Sequence, residues 1–459
     1  MDRFFKFLNS DRYQYAESEI YLENNMHNQT AVFDVFLRTK NENDCAVVYG
    51  ISDVLELIEI LNETSYKDRK KYLSELSDNE DFIEYMANMK FTGSIRGVRE
   101  GEVVFSNEPI ITITAPLIQG KILETPILNV LNYQILTATV TSNIVQAAGG
   151  RDVLFFGTRR VPGFEAAMSM TKACYVTGCA SHSNIMGEYF YNLKSTGTMT
   201  HGFIQSFGMG EDSEYRAFDK FIKIYSHKKY PLVMLVDTYD TMKSGITAAI
   251  RAFKDNGIND EYEGMYGIRI DSGNLEELSK KCRKILNENG FYSAKIILTG
   301  GLDEQKIKEL IGKSAEADIF GVGDAIALPE KEISTVYKMS KIGENDVMKI
   351  SDEEQKTSLP GSKVLYRIYE NDDFTDVIMF EKERPEEKNA GKLTIDYIKG
   401  GEKIEKNCRL LIMEEAKRYY EGNLTYLKKI YSEKEKRNRV NLSENLKNLK
   451  ENLIKRKKS

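Results

Sequence analysis

Tryptophan is absent from this chain of 459 residues, and histidine and cysteine are scarce, with four and five residues respectively. The cysteines are Cys45, Cys174, Cys179, Cys282 and Cys408. Only Cys174 and Cys179 lie close together, but their spacing is too wide for a C-x-x-C motif and no second pair completes a zinc site. We therefore identify no protein ligands for a metal. A sparse and odd set of cysteines is typical of a reducing compartment, which predicts a cytoplasmic protein.

A long apolar run is also missing. The longest uncharged stretch, residues 125–150, is interrupted by Asn129, Asn132 and several threonines, and it stays well short of the ~18 apolar residues that indicate a membrane span. We interpret it as a buried helix, because Thr125 followed by Pro126 is a typical helix start. The N-terminal residues have too short an apolar stretch and no small-residue cleavage site, so we expect neither a secretory signal nor a membrane partner.

An excess of positive charge is missing as well, since the net charge is -6 at pH 7. We therefore expect no nucleic-acid partner. Hydrophobic residues make up 41% of the chain and charged residues 29%, which is ordinary for a globular protein. The length exceeds that of a single core, so we expect more than one domain. The predicted segments are an N-terminal α+β domain (1–130), an α/β barrel (131–340), and C-terminal strands and helices that pack back, with a tail of mixed charge (341–459).

The barrel prediction rests on a change of pattern at Arg151, where short apolar runs begin to alternate with helical stretches. Repeated βα units of this length favour parallel strands with right-handed crossovers. We expect an irregular α/β barrel rather than an open doubly wound sheet, because polar residues and glycines follow the strand ends where barrel enzymes hold their active sites. The predicted strands are 153–156, 233–236, 267–270, 295–298 and 318–322, with helices at 241–254, 275–289 and 303–311.

Within this region, residues 195–208 place His201 in a loop of glycines and hydroxyl residues, among them Thr198. Such a loop can hold an anion, because its backbone turns tightly and its hydroxyls add little bulk. An imidazole there can act as general base, metal ligand or nucleophile. The alternative interpretation is a hydrogen-bonded structural histidine.

Arg269 and Asp271 are a second candidate pair. Alternation along a strand points both side chains to the same face, where they could grip a carboxylate and a sugar hydroxyl or form an internal ion pair. Two glycine turns follow the last two predicted strands, and their bare amides could hold a phosphate. These glycines are Gly300, Gly301, Gly321 and Gly323.

Together these motifs resemble the nicotinate phosphoribosyltransferase family from about residue 10 to about residue 370. Eight motifs in the family's order are far more specific than any one of them. The matching stretches are 10–14, 31–38, 98–105, 156–160, 197–201, 235–241, 267–273 and 320–323, and residues 358–363 (Ser-Leu-Pro-Gly-Ser-Lys) resemble the family's late signature.

The resemblance implies a homodimer with active sites between subunits, and a reaction of nicotinate with phosphoribosyl pyrophosphate that yields nicotinate mononucleotide and pyrophosphate. It also implies ATP hydrolysis coupled through transient phosphorylation of His201, with Mg²⁺ accompanying the pyrophosphate. The implied catalytic residues are His201 and Asp271. The implied substrate contacts are Tyr13 (from the partner subunit) and Phe156 around the pyridine ring, Arg159 at the pyrophosphate, Arg269 and Asp271 at the base and ribose, Ser183 at the pyridine substituent, Thr198 beside them, and Gly300, Gly301, Gly321 and Gly323 at the 5′-phosphate.

The chain departs from the family pattern at several positions. Gly301 stands where a polar or acidic residue is usual, and Asp324 replaces a hydroxyl residue. Asp324 would repel a phosphate unless magnesium or an arginine intervenes. Thr200 and Gly202 flank the histidine where alanine and serine are usual, and His182 is a further departure.

Ser183 bears on the choice of pyridine. Nicotinamide-using relatives resemble this chain but place an aspartate at the matching position, which would repel a carboxylate. The neutral Ser183 therefore favours nicotinate. The alternatives are a nicotinamide-using phosphoribosyltransferase, a catalytically weak ligand-sensing paralogue, and an unrelated barrel that binds a sugar phosphate.

Overall fold

The computed structural model describes residues 8–41, 43–228, 230–330, 332–353, 356–371, 373–404, 409–433 and 437–458. Cys408 and the first seven residues, on which part of the signal-sequence expectation rests, lie outside the described residues. The chain divides into two compact units, one formed by Met1–Leu136 with Lys331–Ser459 and the other by Thr137–Glu330. No helix of the described part is long and apolar enough to cross a membrane.

Strands and helices are interspersed along the described chain. The strands are β1 (Thr30–Thr39), β2 (Cys45–Val47), β3 (Ser94–Val98), β4 (Val103–Phe105), β5 (Pro109–Pro116), β6 (Asp152–Phe155), β7 (Ser181–His182), β8 (Leu232–Leu235), β9 (Tyr266–Ile270), β10 (Lys295–Leu298), β11 (Ile319–Val322), β12 (Ile333–Ile342), β13 (Asn345–Asp346), β14 (Lys363–Glu370), β15 (Asp373–Phe380), β16 (Ala390–Lys392), β17 (Thr394–Lys399), β18 (Glu402–Lys403) and β19 (Val440–Leu442). The helices are α1 (Arg12–Glu23), α2 (Ile51–Glu63), α3 (Tyr66–Leu73), α4 (Glu80–Asn88), α5 (Leu117–Lys121), α6 (Glu124–Ala147), α7 (Phe164–Val176), α8 (Ile185–Tyr191), α9 (His201–Gln205), α10 (Glu211–Tyr225), α11 (Ile246–Asp255), α12 (Leu275–Glu288), α13 (Glu304–Gly312), α14 (Asp324–Ala327), α15 (Arg409–Ser432) and α16 (Glu444–Lys458).

The first unit is built on an antiparallel sheet with the strand order β13-β12-β1-β5-β3-β17-β18. Strand β1 is nearly all buried and pairs antiparallel with both β12 and β5. A second sheet has the order β16-β14-β15-β19, and β2 pairs with β4. This unit confirms the mixed α and β content predicted for the N-terminal part.

Arg367 and Lys363 are two of the buried cations in this unit. Arg367 is fully buried and donates to Asp376 through Nε and Nη2, both at 2.7 Å, and to Glu102 through Nη1 at 2.6 Å. Lys363, the last residue of the stretch 358–363, lies 2.7 Å from Asp34 and donates to the carbonyls of its own loop, including Gly361 at 2.6 Å. Residues 358–363 therefore form a loop of the first unit around the buried ammonium of Lys363, which is paired with Asp34. Such pairing makes a buried charge tolerable in a core.

The second unit contains a six-stranded parallel sheet in the order β7-β6-β11-β10-β9-β8. The five strands predicted from the βα pattern all belong to it, which confirms the α/β class, with the sheet curling as a half-barrel. Because all six strands run in the same direction, their carboxyl ends meet at one edge. An isolated bridge between His182 and Ser195 extends the sheet beyond β7.

Several helix predictions need correction. The helical spacing of residues 67–89 predicts a helix, but the structure has two, α3 and α4. Residues 74–79 leave the helix, and the Asn79 side chain accepts from the Phe82 N–H at 3.1 Å to begin α4. Helix α6 begins at Glu124, and the Thr125 hydroxyl donates to Asp11 rather than capping its own helix. The helix predicted over 241–254 starts with a π-helical turn, Thr241–Gly245, before α11.

The helical pattern of residues 403–421 predicts a helix there, and the mixed charge of residues 432–459 predicts a solvated or frayed end. The helix expected over 403–421 is observed as α15, and residues 405–408 lie outside the described part. The tail is not merely a solvated end, because β19 pairs with β15 and Leu446 of α16 is fully buried. Leu446 thus belongs to the core of the first unit, and Leu442 of β19 packs against that core.

Candidate active site

The candidate site lies along the carboxyl edge of the parallel sheet in the second unit. The connection after each strand brings a polar residue, an aromatic residue or a glycine to this edge, as expected for α/β enzymes. These residues are Phe156 after β6, Ser183 after β7, Asp237 and Thr238 after β8, Asp271 and Ser272 after β9, Thr299 and Gly300 after β10, and Gly323 after β11.

His201 is the first residue of α9, which Thr200 caps by accepting the Phe203 N–H at 3.2 Å. The Nδ1 atom of His201 lies 3.1 Å from Oγ1 of Thr238. Its Nε2 atom lies 3.8 Å from Oδ2 of Asp271, and 40% of the side chain is exposed. The ring is therefore held on one side and accessible on the other, so it can serve as a nucleophile or a base.

Arg269 is the centre of a hydrogen-bond network. Its Nε donates to Thr299 at 2.9 Å, its Nη1 to Thr198 at 3.1 Å, and its Nη2 to Asp271 at 2.7 Å. Thr299 in turn donates to the same Asp271 carboxylate. The shared face predicted for Arg269 and Asp271 is confirmed, and the ion pair that was the alternative interpretation exists as well.

The surroundings of Asp271 keep it ionised. Burial favours its neutral form, but the hydrogen bond from Thr299 and the charge of Arg269 outweigh burial and hold the pKa of the Asp271 carboxyl below its usual value. Hydrogen bonds and a nearby cation stabilise the charged form in this way. Asp271 therefore offers a fixed negative charge at neutral pH.

Asp237 holds the backbone segment that carries Asp271. Its Oδ2 accepts from the Asp271 backbone N–H at 3.1 Å and from the Ser272 hydroxyl at 2.5 Å. Its Oδ1 is buried and has no hydrogen-bond partner among the described residues. A buried carboxylate oxygen without a donor is a position that a cation would satisfy.

An aromatic face lies next to the arginine. The Arg269 guanidinium is 5.8 Å from the centroid of the Phe156 ring. Gly321 leaves room for that ring, because a Cβ there would lie 2.8 Å from Phe156 Cδ2 and 2.5 Å from Thr299 Cγ2. A planar ring stacked on Phe156 would thus meet a cation at its edge.

Ser183 follows β7 and is half-buried, with its hydroxyl 3.4 Å from that of Thr158. Its N–H donates to the Phe155 carbonyl at 3.1 Å, which fixes it beside the strand that leads to Phe156. No hydrogen bond joins Ser183 to Arg269 in the described part of the chain. His182, which precedes it, is buried and its Nδ1 accepts from the Asn184 N–H at 3.1 Å, so this histidine packs inside the unit.

The glycine turns differ in their constraints. Gly300 has φ +96°, and a Cβ there would lie 1.9 Å from the Asp271 carbonyl oxygen, so only glycine fits. Gly301 also has positive φ, at +62°, and its carbonyl accepts from Lys306 Nζ at 2.6 Å. Gly323 has open space, since a Cβ at this position would lie 3.8 Å from its nearest neighbouring atom.

Two arginines follow β6 in the 3₁₀ turn Thr158–Arg160. The Nε of Arg160 lies 3.0 Å from Oδ1 of Asp324, so an arginine does accompany the acidic residue that departs from the family pattern. Arg159 is exposed and forms no ion pair within the described ranges. Its charge is thus free to meet an anion.

Tyr13 belongs to the first unit, where it lies on α1 with 44% of its surface exposed. Lys121 Nζ is 4.9 Å from its ring centroid. Burial raises the pKa of the Tyr13 hydroxyl, and the nearby Glu124 adds to this rise. The ring is therefore neutral and available on one face.

Sequence reasoning did not assign Thr238 or Thr299. Thr238 follows Asp237 after β8, and Thr299 precedes Gly300 after β10. A position just past a parallel strand is the signal that could have identified both threonines. Their roles depend on which neighbouring loop each hydroxyl reaches, and that is set by the order of strands in the sheet.

Two protein-family models match this chain. The model of the nicotinate phosphoribosyltransferase (NAPRTase) N-terminal domain matches residues 8–132, and that of the nicotinate phosphoribosyltransferase (NAPRTase) family matches residues 153–383. The chain is 39% identical over 368 residues to nicotinate phosphoribosyltransferase of Bacillus subtilis (strain 168), covering 79% of this chain and 73% of that one. It is 32% identical over 366 residues to nicotinate phosphoribosyltransferase pncB2 of Mycobacterium tuberculosis (strain ATCC 25618 / H37Rv), covering 79% and 75%.

Among solved structures, human nicotinic acid phosphoribosyltransferase matches with a TM-score of 0.80 at 20% identity, covering 97% of this chain and 99% of that one. Nicotinate-nucleotide pyrophosphorylase from Pyrococcus furiosus matches with a TM-score of 0.74 at 22% identity, covering 93% and 97%. At these identities the structural matches establish the fold. Together with the family models and the relatives above 30% identity, they show that this chain belongs to the nicotinate phosphoribosyltransferase family.

Proposed function

We propose that this enzyme, a nicotinate phosphoribosyltransferase of NAD salvage, couples its reaction to ATP hydrolysis through His201. It transfers phosphoribosyl from phosphoribosyl pyrophosphate to nicotinate and releases nicotinate mononucleotide and pyrophosphate. The observation that supports this best is the cluster of His201, Arg269 and Asp271 at the carboxyl edge of the sheet, with separations of 3.8 Å and 2.7 Å to Asp271. The family match over residues 153–383, together with the relative that is 39% identical over 79% of this chain, supplies the substrate class.

The ribose step follows from the charges of the site. Nicotinate nitrogen forms a bond to the anomeric carbon while the bond to pyrophosphate breaks and its electron pair leaves with the pyrophosphate. The ribose then carries oxocarbenium character, which a carboxylate held ionised, Asp271, stabilises, while Arg159 meets the charge on the leaving group. The neighbouring glycines Gly300, Gly301, Gly321 and Gly323 give backbone amides access to the 5′-phosphate.

Nicotinate would stack on Phe156 with its carboxylate towards Arg269, and Ser183 would face the substituent. The Arg269 guanidinium lies 5.8 Å from the Phe156 ring centroid, close enough to meet the carboxylate at the edge of a pyridine stacked on that ring. Thr198 holds Arg269 through its hydroxyl and so shapes the same subsite. An arginine selects a carboxylate because its planar fork donates two parallel hydrogen bonds.

The phosphoryl step uses the exposed side of His201. A ring-nitrogen lone pair attacks the γ-phosphorus of ATP, the bond to the bridging oxygen breaks, and the electron pair leaves on ADP. Asp271 balances the positive charge that the ring gains. The added phosphoryl charge beside the pyrophosphate site is large enough to reorganise a loop, and hydrolysis restores the resting ring.

Magnesium fits this site through Asp237, whose buried Oδ1 has no donor in the described part. No group of three or more His, Cys, Asp or Glu residues capable of holding a metal occurs among the described residues. Substrate phosphates would therefore supply most of the ligands, as is usual for Mg²⁺ in phosphate chemistry. When bound, Mg²⁺ neutralises phosphate charge.

We further propose a cytoplasmic homodimer in which Tyr13 of one subunit covers the pyridine site of the other. The second unit exposes apolar side chains on α8, next to Ser183, with Ile185 78% and Tyr189 81% exposed. Exposed apolar patches of this kind mark interaction surfaces. The reduced state of four buried cysteines is compatible with the cytoplasm.

Co-expressing two inactive variants tests the shared site. Mixed dimers of Tyr13→Ala and His201→Ala subunits should regain about half of wild-type ATP-coupled activity, because one of the two sites in each mixed dimer is intact. Each variant carries a different affinity tag, and the mixed dimers are purified on the two tags in succession. Their activity is then measured at low nicotinate. Recovery no better than the sum of the separate variants would show that each site is built from one subunit.

The hydroxyl of Thr299 should set the acid limit of activity. Thr299→Val removes a hydrogen bond that lowers the pKa of Asp271, so that pKa rises and the acid limb of kcat/KM moves to higher pH. Thr299→Ser keeps the hydroxyl and serves as the control. An unchanged acid limb in the valine variant would contradict the requirement for ionised Asp271.

The proposed coupling is tested by stoichiometry. Nicotinate mononucleotide, pyrophosphate and ADP are measured together in the presence of saturating phosphoribosyl pyrophosphate. We expect ADP formation to depend on nicotinate and product yield to rise with ATP. Product formation without any ATP consumption would leave the transferase activity intact and remove the coupling.

A further inference from the structure

All four side chains of the turn after β8, residues 237–240, form hydrogen bonds. Asp237 accepts from the Asp271 N–H, and Asp240 accepts from the N–H groups of Met242 and Lys243 at 3.0 and 2.9 Å. Between them, Thr238 reaches His201, and the Tyr239 hydroxyl donates to the Gly208 carbonyl at 2.6 Å. These hydrogen bonds fix both ends of the turn. The turn also holds residues 201–208 at two positions, His201 and Gly208.

His201 needs such support because its own element is short. Helix α9 has five residues and its first residue is the histidine itself. The separation of 3.8 Å between Nε2 and Asp271 is too long for a hydrogen bond. Among the described residues, the Thr238 hydroxyl at 3.1 Å is the hydrogen-bond partner of the imidazole ring.

A single bond to one ring nitrogen decides how the ring is turned. Rotation of the imidazole about its last torsion is broad and has two roughly equivalent positions. The bond at Nδ1 selects one of them and directs Nε2 towards Asp271. Without it, the ring would sample orientations in which neither the attacking lone pair nor the stabilising carboxylate is aligned.

We propose that Thr238 is the positioning residue of the phosphoryl-transfer step, fixing the ring of His201 for attack on ATP. This inference rests on the proposed phosphorylation of His201. Among the described residues, no hydrogen bond joins Thr238 to Arg269, Asp271 or Thr299, so we expect its effect to be confined to the ATP-dependent half of the reaction. The transfer of phosphoribosyl in the absence of ATP does not require it.

The test compares three variants of the full-length enzyme. Thr238→Val keeps the shape of the side chain and removes the hydroxyl, Thr238→Ser keeps the hydroxyl, and Thr247→Val makes the same change at an exposed threonine of α11. The rate of acid-labile phosphate incorporation from γ-labelled ATP is measured, together with ATP-independent synthesis of nicotinate mononucleotide and the KM for ATP.

We expect Thr238→Val to lower the incorporation rate by about 10- to 100-fold, the usual loss when a reacting group is misaligned. The KM for ATP and the ATP-independent synthesis should stay close to wild type, and Thr238→Ser and Thr247→Val should label at nearly the wild-type rate. Labelling of Thr238→Val at the wild-type rate, failure of serine to rescue, or a parallel fall in ATP-independent synthesis would each overturn the inference. If the wild-type enzyme takes up no label, the proposed role of His201 fails and the inference fails with it.

Discussion

His201→Ala should abolish nicotinate-dependent ATP hydrolysis, reducing it to the background rate. In the proposed mechanism the imidazole is the nucleophile that attacks ATP, and alanine offers no lone pair in its place. The fold should survive, because 40% of the side chain is exposed and it forms one hydrogen bond in the described structure. Nicotinate mononucleotide should still form slowly without ATP, since Asp271, Arg269 and Phe156 remain in place.

His227→Ala is the matched control, because this histidine is exposed and lies outside the candidate site. Steady-state ADP release and circular dichroism are measured for both variants. The account of ATP coupling would be wrong if His201→Ala hydrolysed ATP at the wild-type rate in the presence of nicotinate. Loss of folded structure in that variant would instead point to a structural role for the histidine.

Ser183→Asp should reverse or narrow the preference for nicotinate over nicotinamide. The change places a carboxylate beside the position proposed for the nicotinate carboxylate, in a half-buried pocket where like charges repel. A charge-assisted bond contributes about 1.5 to 3 kcal/mol, which corresponds to roughly one to two orders of magnitude in kcat/KM. The loss should therefore fall mainly on nicotinate, and nicotinamide should gain a hydrogen-bond acceptor.

Ser183→Asn separates charge from size, because asparagine has nearly the same shape as aspartate and is neutral. We expect it to weaken both pyridines modestly and leave their ratio closer to wild type. Catalytic efficiency for each pyridine is measured in wild type and in both variants. An unchanged ratio in Ser183→Asp would mean that Ser183 does not face the substituent.

The parallel sheet was predictable because its signals are local. Each strand is a short apolar run that ends in a polar or glycine cluster, and the alternation of Arg269 and Asp271 at the end of β9 follows from strand geometry alone. The same regularity placed the strand-end residues at one edge, where Asp271, Phe156 and Gly300 are found. The local pattern of the sequence was therefore enough to predict that these residues reach the site.

What sequence could not provide were the partners across strands. Thr238 meets His201 because the loop after β8 lies beside α9, and Thr299 meets Asp271 because β10 neighbours β9 in the sheet. The pairing of Arg160 with Asp324 likewise requires β6 to adjoin β11. Helix ends were misjudged where side chains formed other contacts, as when Thr125 bonded Asp11 and Asn79 capped a new helix.

The most direct test of the central claim is a product assay with nicotinate and nicotinamide in parallel, each with phosphoribosyl pyrophosphate, Mg²⁺ and ATP. Nucleotide and pyrophosphate are quantified by chromatography over time. We expect stoichiometric nicotinate mononucleotide and pyrophosphate, with nicotinamide converted at least about tenfold less efficiently, as the loss of one charge-assisted bond implies. Preferential conversion of nicotinamide, or product from neither pyridine, would contradict the account.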